Sequence, residues 1–448
     1  MKRILLEELV RWKEKADRKP LLLKGARQVG KTTLMQQFGK TYFPTVHAVN
    51  FEKDAGLSKI FGENLDPRYL IRDLEFYLKR SIDVHQDLLI LDEIQANPRA
   101  LTSLKYFAEE LPQLAVVAAG SLLGVYLGPT SFPVGKVDLC TLYPMNFEEF
   151  LLALEDHRSL ELLRNAKQTE QFSDIIHEHL FEQLKHYFIV GGLPEVVKTF
   201  VEEKNSLFTA FNKVREKQNA LIETYLADIA KHSGKVNSMH IARIWQSIPA
   251  QLARTQDGTG TKFKFREVVP GVDRYSRLVG ALDWLEAAKL IIKVPIVNSG
   301  ELPFAAYASE TVFKLYPFDI GILGTLSNLS PQTILSYDYG SYKGYFAENF
   351  IAQEFLARNI HTLFSWQEKQ AEVEFLYESE GKAIPIEVKS GWVTHAKSAQ
   401  IFTDKYHSPY RIIFSANKLH CSLKIHRYPL YLAGWLPYQE NPTSNSPP

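Results

Sequence analysis

Cysteine is scarce in this chain of 448 residues: there are two, Cys140 and Cys421, in distant segments. No metal-binding Cys spacing and no disulfide framework can be built from them, which suits a reducing compartment. A cytoplasmic location is therefore expected. Charge of one sign is also lacking. At a formal net charge of +1 the chain has no bulk field for a polyanion, so only a local basic patch could meet one. No apolar run reaches the roughly 18 residues of a membrane-spanning helix, and no membrane span is expected. Residues 1–19 alternate apolar and charged types without an uninterrupted apolar core, which is not the pattern of a secretory signal. The remaining composition, 45% hydrophobic and 23% charged, is that of a globular chain with room for about three domains.

The most informative stretch is Leu21 to Thr33. It reads as a buried strand, a Gly-bounded loop and the start of a helix at Thr32. Gly25, Gly30, Lys31 and Thr32 complete the pattern G-x-x-x-x-G-K-[ST], a P-loop or Walker A motif. The glycines let the loop bend so that backbone N–H groups converge on phosphate oxygens. The helix N-terminus adds partial positive charge. Residues Gly25, Ala26, Arg27, Gln28, Val29, Gly30, Lys31, Thr32 and Thr33 are thus expected to hold ATP. Lys31 reaches the β- and γ-phosphates, and the Thr32 hydroxyl ligates Mg²⁺.

Short apolar strands alternating with helices follow, the signature of a parallel sheet covered on both faces. Strands are predicted at 47–51, 88–91, 114–119 and 137–142, and helices at 2–16, 33–43, 68–81 and 99–111. The strand Leu88–Leu91 ends in Asp92-Glu93, two carboxylates at the sheet edge where α/β folds bind ligands. Asp92 is expected to hold Mg²⁺, and Glu93 to activate the attacking water as general base. Ser121, which ends the next strand, is a candidate contact to the γ-phosphate or the water. Asn50 and Glu52 read as turn and surface residues. Further on, Asn146 with Glu149 three residues later resembles a helix-capping box.

The motifs together resemble the prokaryotic AAA-type ATPases that carry a C-terminal domain of unknown function. The stretches that carry the resemblance are GARQVGKTT (25–33), LDEIQ (91–95), AAGSL (118–122) and YPMNFEEF (143–150), then GGLPE (191–195), YLADI (225–229), FKLY (313–316) and IEVKS (386–390). The resemblance covers the whole chain except the tail. It implies an α/β fold with four parts: a P-loop ATPase domain over 1–145, a helical lid over 146–235, a winged helix over 236–335 and a restriction-endonuclease-like domain over 336–437. A disordered tail is expected over 438–448. Members often have Gly-Arg where this chain has Gly135-Lys136, and a lysine lacks the bidentate fork of a trans-acting arginine.

In the third part, helices over 240–252 and from Asp273, a loop at 255–261, and strands at 290–294 and after Pro303 follow the winged-helix order. Arg254, Lys262, Lys264, Arg266, Arg274 and Arg277 lie there. They form either a phosphate-contacting face for DNA or RNA or a plain solvated surface. In the fourth part, 346–355 reads as an amphipathic helix, followed by a strand at 363–366 and a hairpin of 373–377 with 383–389. Alternation puts Glu374, Glu387 and Lys389 on one side of that hairpin. With Glu348 they resemble the metal site of restriction-endonuclease-like nucleases, where carboxylates collect Mg²⁺ and the lysine steadies the attacking water. Gln400 is a further candidate lining residue. The family usually has Asp where this chain has Glu374, and a shift of ~1 Å can cost ~100-fold. An ordinary charged hairpin, a binding site without cleavage and an active nuclease all remain open.

The overall expectation is an Mg²⁺-dependent ATPase acting on, or regulated by, nucleic acid. The rival is an ATP-dependent switch for protein assembly whose C-terminal domain only binds. Oligomeric state is not legible in the residues.

Overall fold

A computed structural model describes residues 1–435 apart from 55, 63, 122, 127–132, 167–171, 257–261, 267, 273, 341, 361 and 393–395. The tail expected over 438–448, the helix start expected at Asp273 and most of the loop expected over 255–261 lie outside the described residues. Contacts divide the chain into two units, Met1–Tyr143 with Ala287–Lys289, and Pro144–Glu286 with Leu290–Pro448.

The first unit is built on five parallel strands: β1 (Leu21–Lys24), β2 (Val46–Asn50), β3 (Leu88–Asp92), β4 (Ala115–Ala119) and β5 (Asp138–Thr141). Their order is β2-β3-β4-β1-β5. β3 and β4 are buried at every position. This is why they read as continuous apolar runs: a parallel sheet covered on both faces has no solvent side to alternate with. Leu89, Leu91 and Val116 meet Leu104 and Phe107 of the helix Pro98–Glu110 in one core cluster. Two helices start with an Asx cap followed by proline: Asp66 before Pro67, and Asn97 before Pro98. The side chain satisfies first-turn N–H groups and the proline presets φ.

The second unit carries an eight-stranded mixed sheet in the order β12-β13-β11-β10-β9-β8-β6-β7. Its strands are β6 (Ile291–Val297), β7 (Ala308–Pro317), β8 (Phe364–Glu368), β9 (Ala371–Ser379), β10 (Lys382–Val388), β11 (Arg411–Ser415), β12 (His420–Cys421) and β13 (Ile425–Pro429). Helix, helix, hairpin is the observed order over Lys235–Gln256, Tyr275–Ala287 and β6–β7. β6 pairs in parallel with β8 through Ile296↔Ser365 and Val297↔Trp366, so the hairpin becomes the edge of the C-terminal sheet. The three parts expected over 146–235, 236–335 and 336–437 are likewise one compact unit.

The helix expected to be amphipathic over 346–355 runs from Tyr342 to Ala357 and is buried on nearly every face. Phe350 packs on Phe147, Tyr187 and Phe188, and Phe355 packs on Phe375 and Phe414. Its polar residues looked like a solvent face, yet each has an internal partner. Asn349 donates to Pro317 O (2.9 Å), Gln353 donates to Tyr187 OH (2.7 Å), and Gln353 Oε1 accepts from Ile320 N (2.9 Å). Glu354 accepts from Phe147 N at 2.8 Å, at the start of a helix whose Asn146–Glu149 capping box forms as expected.

Burial pushes the Glu354 carboxyl up to about 8, against the pull of the Phe147 N–H and Arg358 and with the push of Glu149 and Glu148. Its Oε2 has no hydrogen-bond partner among the described residues, a position tolerable for a neutral carboxyl and costly for a charged one. The folded chain thus keeps a proton that the unfolded chain releases near 4.5. The stability linked to this proton is complete below the unfolded value and is lost as pH rises through the folded one. Glu354→Gln keeps an oxygen for Phe147 N and cannot ionise. Its thermal midpoint is expected to decline less steeply than wild type between about pH 4.5 and pH 8, the interval in which only the unfolded wild-type carboxyl is ionised. An unchanged slope in calorimetry would assign the proton to another group.

Candidate active site

In the first unit, β1 delivers the chain to the middle of the sheet and the loop 25–30 turns it into the helix Lys31–Tyr42. Gly25 has φ 149°, and a Cβ there would stand 2.3 Å from Leu142 O. Gly30 is the left-handed N-cap of the helix, at φ 94°. That helix begins with no side-chain cap and no acidic residue in its first turn, so its N–H groups and positive end are left for an anion. Lys31 is 6% exposed, and its ammonium donates to the Gly25 and Ala26 carbonyls at 2.9 and 2.8 Å. Burial lowers its pKa to about 8, while Glu93 and Asp92 hold it up. The loop therefore fits a polyphosphate: a concave backbone with uncapped donors and a cation already at its rim.

The expected oxygen ligands are brought together beside it. Thr32 Oγ1 donates to Asp92 Oδ2 at 2.8 Å, and burial raises the Asp92 carboxyl. A hydroxyl and a carboxylate at this separation suit Mg²⁺, which takes few protein oxygens and keeps its waters. Asn50, expected to be a turn residue, donates from Nδ2 to the same Asp92 oxygen at 3.2 Å. The register explains this, because Asn50 ends β2 directly opposite Asp92 on β3. Glu93 follows in left-handed backbone at φ 51°. Its carboxylate accepts from Gln95 Nε2 at 2.6 Å and from Ser121 Oγ at 3.4 Å. Ser121 Oγ also accepts from Arg27 Nε at 3.3 Å, and Arg27 pairs with Glu52 at 2.8 Å. Gln95 needs Gly120 at its side, where a Cβ would lie 2.4 Å from its Oε1. Gln95, Asn50 and Glu52 are the site residues that sequence reasoning missed. Only the sheet register and the loop path bring them in.

In the second unit, Glu348, Glu374, Glu387 and Lys389 line one cavity of about 360 Å³, together with Lys314 and Glu372. Lys314 was unforeseen. It comes from the adjacent antiparallel hairpin and pairs with Glu348 at 3.3 Å and with Glu372. Glu348 also accepts from Tyr316 OH at 2.6 Å. Glu387 pairs with Lys389 at 2.7 Å and accepts from Ala399 N at 3.1 Å, and Glu374 accepts from Val388 N at 3.1 Å. Burial pushes the Glu374 carboxyl up, reinforced by Glu348 and Glu387 against Lys389. Burial alone would lower Lys314, but Glu348 and its neighbours hold it well above its ordinary value. Ser398 lines the cavity; Gln400 does not, its amide being bonded to Asp404. Among the described residues, no three His, Cys, Asp or Glu side chains are grouped to hold a metal ion. Two lysines stand among the carboxylates, and two of the acids are turned onto backbone N–H groups.

The six basic residues expected at a nucleic-acid face are all exposed. The backbone at Phe263 and Lys264 is pinned from inside. Phe263 N donates to Phe313 O at 2.8 Å, and Gln251 brackets the Lys264 peptide at 3.0 and 3.2 Å.

Phosphate anions favour charged Lys31, whereas free Lys31 loses its proton as pH rises through about 8. Affinity for a nucleoside triphosphate is therefore expected to weaken above that pH, measured by titration calorimetry at constant ionic strength. Lys31→Ala should bind weakly throughout and lose this pH dependence. A flat wild-type profile would place the ammonium away from the bound anion.

Comparison with known proteins adds three family matches. Residues 17–151 match an AAA domain, and residues 181–333 and 343–431 match two domains of unknown function, DUF8612 and DUF4143. No curated protein matches. Among solved structures, a Walker-type ATPase of Pyrococcus abyssi is similar at 17% identity and TM-score 0.44, over 71% of this chain and 94% of that one. AMPPCP-bound DnaA from Aquifex aeolicus is 16% identical at TM-score 0.29, over 64% and 87%. The Aeropyrum pernix ORC1 protein in complex with DNA is 14% identical at TM-score 0.30, over 75% and 90%. Likenesses this distant carry no information on substrate or partner. The complete P-loop on a five-stranded parallel sheet and the family match over 17–151 together identify this part of the chain as an AAA-type ATPase domain.

Proposed function

We propose that the chain is an Mg²⁺-dependent ATPase that acts on, or is regulated by, nucleic acid through its second unit. The observation that carries the first half is the 2.8 Å contact of Thr32 with Asp92, beside the buried Lys31 and next to Glu93. The loop 25–30 and the N-terminus of the Lys31–Tyr42 helix bind the phosphates, and Lys31 holds charge against them. Thr32 and Asp92 hold the Mg²⁺, which neutralises phosphate charge when bound. Glu93 takes the proton of the attacking water, and Gln95 and Ser121 fix the direction of its carboxylate. Asn50 steadies Asp92.

The nucleic-acid half is supported by the exposed basic residues Arg254, Lys262, Lys264, Arg266, Arg274 and Arg277. Binding without cleavage is the reading this cavity favours, because its carboxylates are already engaged by lysines and backbone N–H groups. ATP turnover is expected to change when DNA or RNA is added, and binding should weaken steeply with salt. Divalent metal should give no strand scission. Cleavage abolished by Glu387→Ala would overturn the binding-only reading.

Glu93→Gln is expected to bind ATP within about twofold of wild type and to hydrolyse it roughly 10²–10⁴-fold more slowly, since the amide cannot take a proton. Hydrolysis near the wild-type rate would move the base elsewhere.

A further inference from the structure

A second cavity of the C-terminal unit, about 420 Å³, has walls of a different chemistry. His177, Phe181, Tyr337 and Trp392 supply rings, Lys185 and Lys343 supply positive charge, and Glu178 and Glu182 supply negative charge. The rings are arranged about one another: Phe181 meets Tyr337 edge-on at 5.1 Å between centroids, and Trp392 stands 6.2 Å from Phe181 and 5.9 Å from His177. Lys343 lies 5.5 Å over Tyr337 and Lys185 5.9 Å over Phe181, the latter lysine also pairing with Glu182. Trp392 is not core packing, because it is 61% exposed. This cavity adjoins the acidic one along the chain in two places. Ser390 lines the acidic cavity while Gly391 and Trp392 line the aromatic one, and Gly344 and Lys343 divide in the same way. Tyr337 OH donates to Ser390 O at 2.8 Å, tying a ring wall to the shared segment.

We infer that the aromatic cavity takes an unpaired nucleobase, making single-stranded nucleic acid the ligand of the C-terminal unit. The inference rests on the nucleic-acid reading above and narrows it. Rings of any π-face stack on bases with little sequence preference, and lysines beside them meet the phosphates. A base inside a duplex is already stacked and must leave the stack to enter such a pocket.

The test uses the full chain and labelled oligonucleotides followed by fluorescence anisotropy at one salt concentration. Probes are a single strand, the matching duplex, and a single strand of the same length with abasic sites. Wild type is expected to prefer the intact single strand. Trp392→Ala, at an exposed position, should weaken that strand by about tenfold and leave the duplex unchanged, while Trp392→Phe keeps most of the affinity. The abasic strand should bind wild type as weakly as the intact strand binds Trp392→Ala. Single-strand affinity unaltered by Trp392→Ala would overturn the pocket and leave nucleic-acid binding standing. No binding of any probe by wild type would overturn both, as would an aromatic peptide that binds in a Trp392-dependent way where no strand does.

Discussion

The arrangement of the ATPase unit depends on the desolvation of one ammonium. Lys31 is taken out of water at the start of a helix whose own field repels cations. Two loop carbonyls and the nearby Asp92 and Glu93 offset this cost. Removing the carbonyls would need a different loop path, and that path exists only because Gly25 comes within contact of Leu142 O. The position of β5 beside β1 is therefore part of the nucleotide site, although no β5 side chain enters it.

The same constraint accounts for the acidic side. Asp92 and Glu93 are consecutive, yet they point into different networks because Glu93 adopts left-handed backbone. Asp92 joins Thr32 and Asn50; Glu93 joins Gln95 and Ser121. One backbone angle thus sends two consecutive carboxylates into separate hydrogen-bond networks. Arg27 extends the second network outward to Glu52.

Much of this was legible in the residues. All five strands of the first sheet and the P-loop helix could be read, because buried parallel strands and a glycine-bounded loop leave strong local signals. Register-dependent contacts could not. Asn50 reaches Asp92 from the neighbouring strand and Lys314 reaches the acidic cavity from β7, with β6 and β8 between it and β9, and nothing near them in sequence says which strand lies beside which. The Tyr342–Ala357 helix misled for a related reason: Asn349, Gln353 and Glu354 look like a wet face and are buried among internal partners. Pattern reports polarity, and polarity equals exposure only where no internal partner is available. The joining of β6 to β8 was likewise hidden, because a hairpin edge does not name the strand it pairs with.

That joining has a mechanical consequence. A winged helix on a linker can swivel, and whatever it grips moves independently of the domain behind it. Here β6 and β7 are woven by main-chain hydrogen bonds into the sheet that carries Glu372, Glu374 and Glu387. Phe263 is stitched to β7 as well, so the backbone of the basic stretch shares the same weave. A load applied at those basic residues is delivered along the strands as along a stiff plate. Glu372, Glu374 and Glu387 of the acidic cavity stand on that same plate, two of them on β9 and one on β10.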